Sequence, residues 1–201
     1  MSHMPELIEA YRAWKPVADV RGSIERLLCD VPARYMAGLR SIVLTNASAL
    51  SRRERRLRVP ARGSKARVAE AGGLYHHAWQ SEPAWIELFV DNLIQGCPSW
   101  ALRFRFVRDG LLADGLFHEL GHHVHVTQAP EFREPEDVAD AWERRFSRRY
   151  FRRRYWFLRQ LGLLFRPSLR AFRIVFRPPA DSPMGQAIDE ILSQRPSRRA
   201  A

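Results

Sequence analysis

The sequence predicts an α+β fold, and three observations carry that reading. Short apolar runs of strand composition, such as Ser41–Thr45 and Trp85–Val90, occupy the first half of the chain. Two later stretches, around 112–122 and 135–146, space their apolar residues at helical intervals. The 201 residues, 46% of them hydrophobic, suffice for one core and leave little for a second. The expected division is an N-terminal helix or tag-derived lead over 1–20, a single domain over 21–194 and a disordered tail over 195–201.

In chain order, Met1-Ser2-His3-Met4 resembles an expression-vector remnant, so His3 is set aside. Helices are expected at Pro5–Ala18 and Ser23–Cys29, then a strand at Ser41–Thr45, where Ile42, Val43 and Leu44 are consecutive. The arginine-rich stretch Ser51–Lys65, with Pro60 and Gly63, reads as an exposed loop or frayed helix. A strand at Arg67–Ala71 and a turn at Gly72-Gly73 follow. His76 and His77 come next, and adjacent residues of a strand face opposite sides, so they do not easily share a site. Trp85–Val90 reads as a strand. So does Trp100–Val107, which alternates Leu102, Phe104 and Phe106 with Arg103, Arg105 and Arg108. Beyond Gly162, a strand at Leu169–Phe176 and a short helix at Gly185–Leu192 flank a proline-rich turn.

The chemistry concentrates in His118-Glu119-Leu120-Gly121-His122. On a helix this spacing sets both imidazoles on one face, and neutral imidazole nitrogen is a preferred zinc ligand. Glu119, one step round, can take a proton from a water activated by the metal without binding the metal itself. Leu112, Leu116 and Leu120 fall on the opposite side, so one helix can enter a core while showing its ligands to a cleft. Hydrolysis by activated water is the expected reaction.

A catalytic zinc site needs a third protein donor. Glu136 is the leading candidate, in a segment where Pro135 suits a first helical turn and Ala139, Trp142 and Phe146 form an apolar stripe. Glu131, Glu134 and His125 are the substitutes. Asp140, one turn after Glu136, is placed to accept the spare ring N–H of a ligand histidine. Acids in a first helical turn also meet the positive end of the macrodipole, with or without a metal.

Taken together, HELGH and the following Glu136-Asp137-Val138-Ala139-Asp140-Ala141-Trp142 resemble the gluzincin branch of the zincin metallopeptidases, in particular the small minigluzincin-like proteins, whose second motif is E-x-x-A-[ND]-x-[FW]. The likeness covers roughly residues 20–150, and only the two metal-binding segments are specific. It implies a zincin-like fold, a small mixed sheet with an active-site helix and a glutamate helix. It further implies a zinc metalloendopeptidase in which His118, His122 and Glu136 hold Zn2+, Glu119 is the general base and Asp140 orients a ligand. Position 140 lacks the asparagine that many relatives carry. No transition-state donor is self-evident after the glutamate helix; Tyr150 and Tyr155 are the candidates, with His76 and His77 upstream. The substrate is expected to be a protein or peptide, aligned by backbone pairing along a sheet edge supplied by Leu102–Val107 or Arg67–His76.

Charge is the second message. Lys+Arg number 33 against 22 Asp+Glu, a net +11, and all but Lys15 and Lys65 of those cations are arginine. Arg144, Arg145, Arg148, Arg149, Arg152, Arg153 and Arg154 crowd one stretch among aromatic residues. Such a helix can meet an acidic partner or a nucleic acid, since guanidinium pairs with carboxylate or phosphate. The rival expectation is a catalytically inactive zincin-like regulator or nucleic-acid-binding module that works through residues 144–159. No apolar run approaches the ~20 residues of a membrane span, and no export signal is seen, so a cytoplasmic location is expected. Cys29 and Cys97, each among apolar neighbours, are expected as two buried thiols.

Overall fold

A computed structural model describes residues 4–61, 64–128 and 135–156. Its framework is a mixed four-stranded sheet of β1 (Glu6–Glu9), β2 (Leu39–Thr45), β5 (Gly73–His76) and β6 (Ala84–Phe89), in the order β1-β2-β6-β5. The pairs β1–β2 and β2–β6 are parallel, whereas β5 runs antiparallel to β6 and closes one edge. Parallel neighbours need a crossover between them, and α1 (Val20–Cys29) supplies it from β1 to β2. Ile42 and Leu44 on β2 and Ile86 and Leu88 on β6 are fully buried. A separate two-stranded antiparallel ribbon, β3 (Arg58–Ala61) with β4 (Ser64–Arg67), is inserted between β2 and β5. After β6 come the short α2 (Val90–Leu93), the long α3 (Arg105–Thr127) and α4 (Pro135–Arg154). The architecture is α+β, as expected.

The chain divides into two compact units, Met1–Ser147 and Arg148–Ala201. In the second, the described residues are the last turns of α4 and the bend after it. There Tyr150 is buried, with its ring 5.3 Å from Phe151 and 6.1 Å from Tyr155, while Arg148, Arg149, Arg152, Arg153 and Arg154 are exposed. The strand and helix expected at 169–176 and 185–192 lie outside the described residues.

The helix expected over 5–18 is instead a parallel edge strand. Backbone partners override the apolar spacing of Leu7, Tyr11 and Trp14: Glu6 to Glu9 lie in register with Ser41 to Leu44, and Ala10 N–H donates to the Leu44 carbonyl at 2.8 Å. The Asn46 side chain then takes both backbone groups of Arg12, at 2.9 and 3.1 Å, and Ala13 turns the chain with φ of 53°.

The strand expected over 100–107 is a 3-10 turn, Ala101–Arg103, running into α3. Here the Pro98 carbonyl accepts from Ala101 N–H at 2.9 Å, and buried Arg108 reaches back to the Leu102 carbonyl at 2.9 Å. The strand expected at Arg67–Ala71 likewise ends at Arg67, and Val68–Glu70 form another 3-10 turn. Ser51–Lys65, expected as an exposed loop or frayed helix, contains a 3-10 turn at Glu54–Arg56, then β3 and the start of β4. Both cysteines are free, but Cys29 is exposed and Cys97 half-buried, so neither is the buried thiol expected; Cys29 ends α1 on its outer face. Among the described residues no helix is long and apolar enough to cross a membrane.

A polar seam fixes α3 against α1. Buried Asp109 pairs with Arg26 at 3.0 Å, and buried Arg108 donates to Ser23 Oγ at 2.8 Å. Burying one of these charges without its partner would cost several kcal/mol, roughly 3–5, so the seam sets how the start of α3 lies on α1. Further along, Leu112, Leu116, Leu120 and Val124 are all fully buried, which turns the opposite face of α3 away from the core.

Candidate metal centre

That opposite face carries His118 and His122, one helical turn apart. Their Nε2 atoms lie 3.2 Å from each other. From α4, Glu136 brings one carboxylate oxygen to 3.3 Å from His118 Nε2 and the other to 3.7 Å from His122 Nε2. Four-coordinate zinc with bonds of ~2.0–2.2 Å places neighbouring donors roughly 3.3–3.5 Å apart. The three residues therefore have the spacing and the donor chemistry of a metal site. Glu131 and Glu134, the alternatives to Glu136, lie outside the described residues, and His125 is half-buried in the last turn of α3.

The approach of α4 explains how Glu136 gets there. Pro135 opens the helix without sacrificing a backbone donor, and Glu136 and Asp137 fill its acidic first turn. The stripe Ala139, Trp142 and Phe146 is buried as the sequence suggested. Tyr35 packs on Trp142 and Phe146, with ring centroids 4.9 and 5.6 Å away, and Phe117 of α3 lies 5.7 Å from Phe146. At the crossing, a Cβ on Gly121 would fall 2.7 Å from the Ala139 carbonyl oxygen and 2.8 Å from the Ala139 Cα. Only glycine lets the two backbones come this close. Gly121 and Ala139 thus set the gap that Glu136 and Asp140 bridge.

Two carboxylates attend the other nitrogen of His118. Asp140 Oδ1 is 3.2 Å from Nδ1, and Glu143 Oε2 is 3.8 Å from it. A proton held on Nδ1 by these acids leaves the Nε2 lone pair for the shared centre. Asp140 stands where the sequence placed it. Glu143 was missed, although it follows Glu136 by seven residues and so shares its helix face.

The electrostatics follow from this crowd of acids. Burial alone would favour neutral His118, but the approach of the Glu143 carboxylate and the charges of Glu119, Glu136 and Asp140 raise its pKa to about 9. His122 moves the other way, to about 4, through burial first and then the charges of His118, His125 and His77. The carboxyl of Glu119 rises to about 7, chiefly through burial and in part through Glu136; the His118 charge and a hydrogen bond from the Tyr75 backbone oppose the rise.

Strand β5 delivers that hydrogen bond. Because Phe89 N–H donates to the Gly72 carbonyl at 2.9 Å, Leu74 and His76 direct their backbone groups toward β6, while Gly73 and Tyr75 direct theirs to the open edge. Tyr75 N–H thereby meets Glu119. A Cβ on Gly73 would fall 2.8 Å from Glu119 Cγ, so this glycine makes room for the buried acid. The Tyr75 hydroxyl binds buried His123 Nδ1 at 3.1 Å, and His123 Nε2 lies 3.1 Å from the Ala37 carbonyl. A carbonyl only accepts, so Nε2 carries the His123 proton and Nδ1 accepts from Tyr75. These bonds tie β5 to α3 and to the turn before β2.

The two upstream histidines part company, as their adjacency predicts. His76 stacks on Trp85 at 3.8 Å and meets Glu87 at 3.4 Å, whereas exposed His77 lies on the side of Tyr75, its ring 4.8 Å away. Tyr150 and Tyr155 belong to the second unit. Of the basic stretch, Arg145 is exposed with its guanidinium 4.7 Å above the Trp142 ring, and Arg144 is half-buried. The roles of Tyr75 and His123, and the packing roles of Gly73 and Gly121, were not read from the sequence, because they arise where separate elements meet. Gly121 did leave one signal: a glycine inside a helix costs ~1 kcal/mol relative to alanine and marks a close packing contact.

Comparison of the chain with protein-family models, with curated proteins and with solved structures finds no match.

Proposed function

We propose that the protein is a zinc-dependent metalloendopeptidase of zincin-like fold, as the resemblance of its two motifs to gluzincins implies. The observation that carries this reading is the convergence of His118 and His122 from α3 with Glu136 from α4, beside a buried acid that is not one of the three donors. Among the described residues the group that includes both imidazoles has three donors, His118, His122 and Glu136, the number usual for catalytic zinc rather than the four of structural sites. When bound, the metal supplies Lewis acidity, which polarises a carbonyl and makes a water easier to deprotonate.

The chain's own residues do the rest. His118 and His122 present Nε2 and Glu136 its carboxylate, while Asp140 and Glu143 keep the proton of His118 on Nδ1. Glu119 accepts a proton from the attacking water and returns it to the departing amine. Glu119 has a pKa of about 7 in the metal-free protein, and a cation beside it would favour the ionised form that accepts the proton. At the outer edge of β5, half-buried Tyr75 offers its carbonyl, a backbone acceptor for an extended peptide. Backbone pairing of this kind aligns many sequences beside Glu119 without reading their side chains.

Metal analysis joined to cleavage of a random peptide library tests the proposal. The wild-type protein should carry about one zinc per chain and cut internal peptide bonds. Glu119→Gln should keep the zinc and lose turnover by several orders of magnitude. Undiminished cleavage by that variant would refute the mechanism, and absence of zinc from the wild type after reconstitution would refute the site.

A further inference from the structure

Residues 51–67 hold eight cations, seven arginines and Lys65, against a single acid, Glu54. Their net +7 and the seven arginines without an acid in 144–154 together exceed the chain's +11, so the remainder of the protein is net acidic. The positive charge is therefore localised rather than spread for solubility. We infer that the β3–β4 ribbon and the turn before it form a contact surface for the phosphate backbone of duplex nucleic acid.

The ribbon has two unlike faces. Val59 packs on the cluster of Ala47, Val68 and Phe89, which fixes the inner face. Strand alternation then turns Arg58, Arg67 and Lys65 outward, and all three are exposed. The register sets Arg58 directly opposite Arg67. Since Val68 N–H donates to the Leu57 carbonyl at 2.9 Å, this is a non-hydrogen-bonded pair, the kind whose Cα atoms approach to about 4.5 Å. Like charges in that position oppose the hairpin. A ribbon selected only for folding would place threonine or an acid there, whereas phosphates between the two guanidinium groups would turn the repulsion into attraction.

The one acid within this stretch, Glu54, is not free to neutralise them. Ser51 N–H donates to Glu54 Oε2 at 2.7 Å and Glu54 N–H to Ser51 Oγ at 3.2 Å, a reciprocal cap on the 3-10 turn Glu54–Arg56. Arg55 folds back onto the Leu50 and Ser48 carbonyls, which stiffens the same turn. Arg52, Arg53 and Arg56 stay exposed, and among the described residues no acidic side chain pairs with them or with the ribbon's three cations. Arginine so predominates that bidentate contact with phosphate is the favoured chemistry. The proposal is independent of the metal site.

Fluorescence anisotropy of a labelled 20-base-pair DNA duplex with the full chain, from 50 to 200 mM KCl, reads it out. Wild type should bind with a steep salt dependence. Replacing all three outward cations (Arg58→Thr, Lys65→Thr and Arg67→Thr) should make the slope of log affinity against log salt shallower by about 2.7, roughly 0.9 for each phosphate no longer neutralised. The thermal midpoint of this variant should stay level or rise, since the like-charge pair is gone; a surface that served only folding would not separate the two readouts. Three outcomes would overturn the inference: no duplex binding by wild type at 50 mM KCl, an unchanged slope in the triple variant, or preference for polyglutamate or phosphatidylserine vesicles over the duplex. An Arg148→Gln, Arg149→Gln, Arg152→Gln variant that alone abolishes binding would likewise move the surface to α4 and sink the ribbon.

Discussion

Replacing Gly121 by alanine tests whether the candidate centre depends on how closely α3 and α4 approach. The new Cβ would stand 2.7 Å from the Ala139 carbonyl oxygen, 2.8 Å from its Cα and 3.1 Å from its carbonyl carbon, where ordinary contact begins at 3.4 Å. The shortfall of about 0.7 Å at the oxygen has no rotamer to absorb it, because the obstructing atoms are backbone; overpacking of this sort costs about 1–3 kcal/mol. Alanine returns about 1 kcal/mol of helix propensity, so the metal-free protein should lose no more than ~2 kcal/mol. The metal responds differently. Donor distances in such sites hold within about 0.2 Å, and Ala139 lies between Glu136 and Asp140, so parting the helices carries both acids off target. Disturbing outer partners alone weakens metal binding 10–100-fold, and moving Glu136 with them should cost at least about 100-fold. Competition against a chromophoric chelator measures the affinity, and thermal melts with and without zinc measure the fold. Wild-type zinc affinity in Gly121→Ala would refute the claim that this crossing builds the site.

Asp140→Ala should preserve the fold yet weaken zinc binding by about 10–100-fold, because His118 loses the acceptor that orients its ring; a smaller effect than that of Glu143→Ala would invert the assignment. Zinc uptake at pH 8 should release about one proton, from His118, whose metal-free pKa is about 9, and none from His122, whose pKa is about 4. Calorimetry in two buffers of different ionisation enthalpy counts that proton, and a count of zero would defeat the prediction. The same shift has a sign for stability: a histidine raised from 6.5 to about 9 stabilises the metal-free fold fully below pH 6.5, and that contribution disappears as pH climbs through about 9. Urea melts of the chelator-treated protein at pH 6 and pH 10 should show the decline.

The elements whose burial is encoded in their own periodicity were legible in the sequence. Strands β2 and β6 are apolar runs, and α3 has leucines at 112, 116 and 120 backed by histidines at 118 and 122, so each reveals its inner face locally. The ends of the chain segments that depend on distant backbone were not. Glu6–Glu9 is a strand because β2 offers a parallel ladder, and Trp100–Val107 fails to be one because Arg108 and Pro98 bind its backbone; neither partner is visible in a window of eight residues. The candidate edge shows both sides of this. Of the edge expected over Arg67–His76, only Gly73–His76 is the outer strand beside Glu119, while Leu102–Val107 contributes no strand. In the site, the sequence pointed to His118, Glu119, His122, Glu136 and Asp140 but not to Glu143 or to Tyr75, whose contribution to Glu119 is a backbone N–H. Main-chain donors carry no residue type, so no motif can announce them.

Charge gives a second argument, separate from donor spacing, for a cation at this centre. At the start of α3, buried Asp109 is met by the guanidinium of Arg26, and the pair is complete without any ligand. At the far end of the same helix, Glu136, Asp140 and Glu143 converge instead on one imidazole, with Glu119 buried beside it. The adjacent groups His118 and Glu119 both shift toward their protonated forms, to about 9 and about 7. For Glu119 burial leads, with Glu136 adding to it; for His118 the acids overcome burial. A cluster that takes up protons this readily sits in a negative potential that a single proton balances only in part. A divalent cation among the three donors would bring twice that charge, displace the Nε2 proton and favour ionised Glu119, the form that can accept a proton. On the proposed reading, the same excess of acid that makes the metal-free cluster hold its proton would favour a doubly charged ion and ready the neighbouring base.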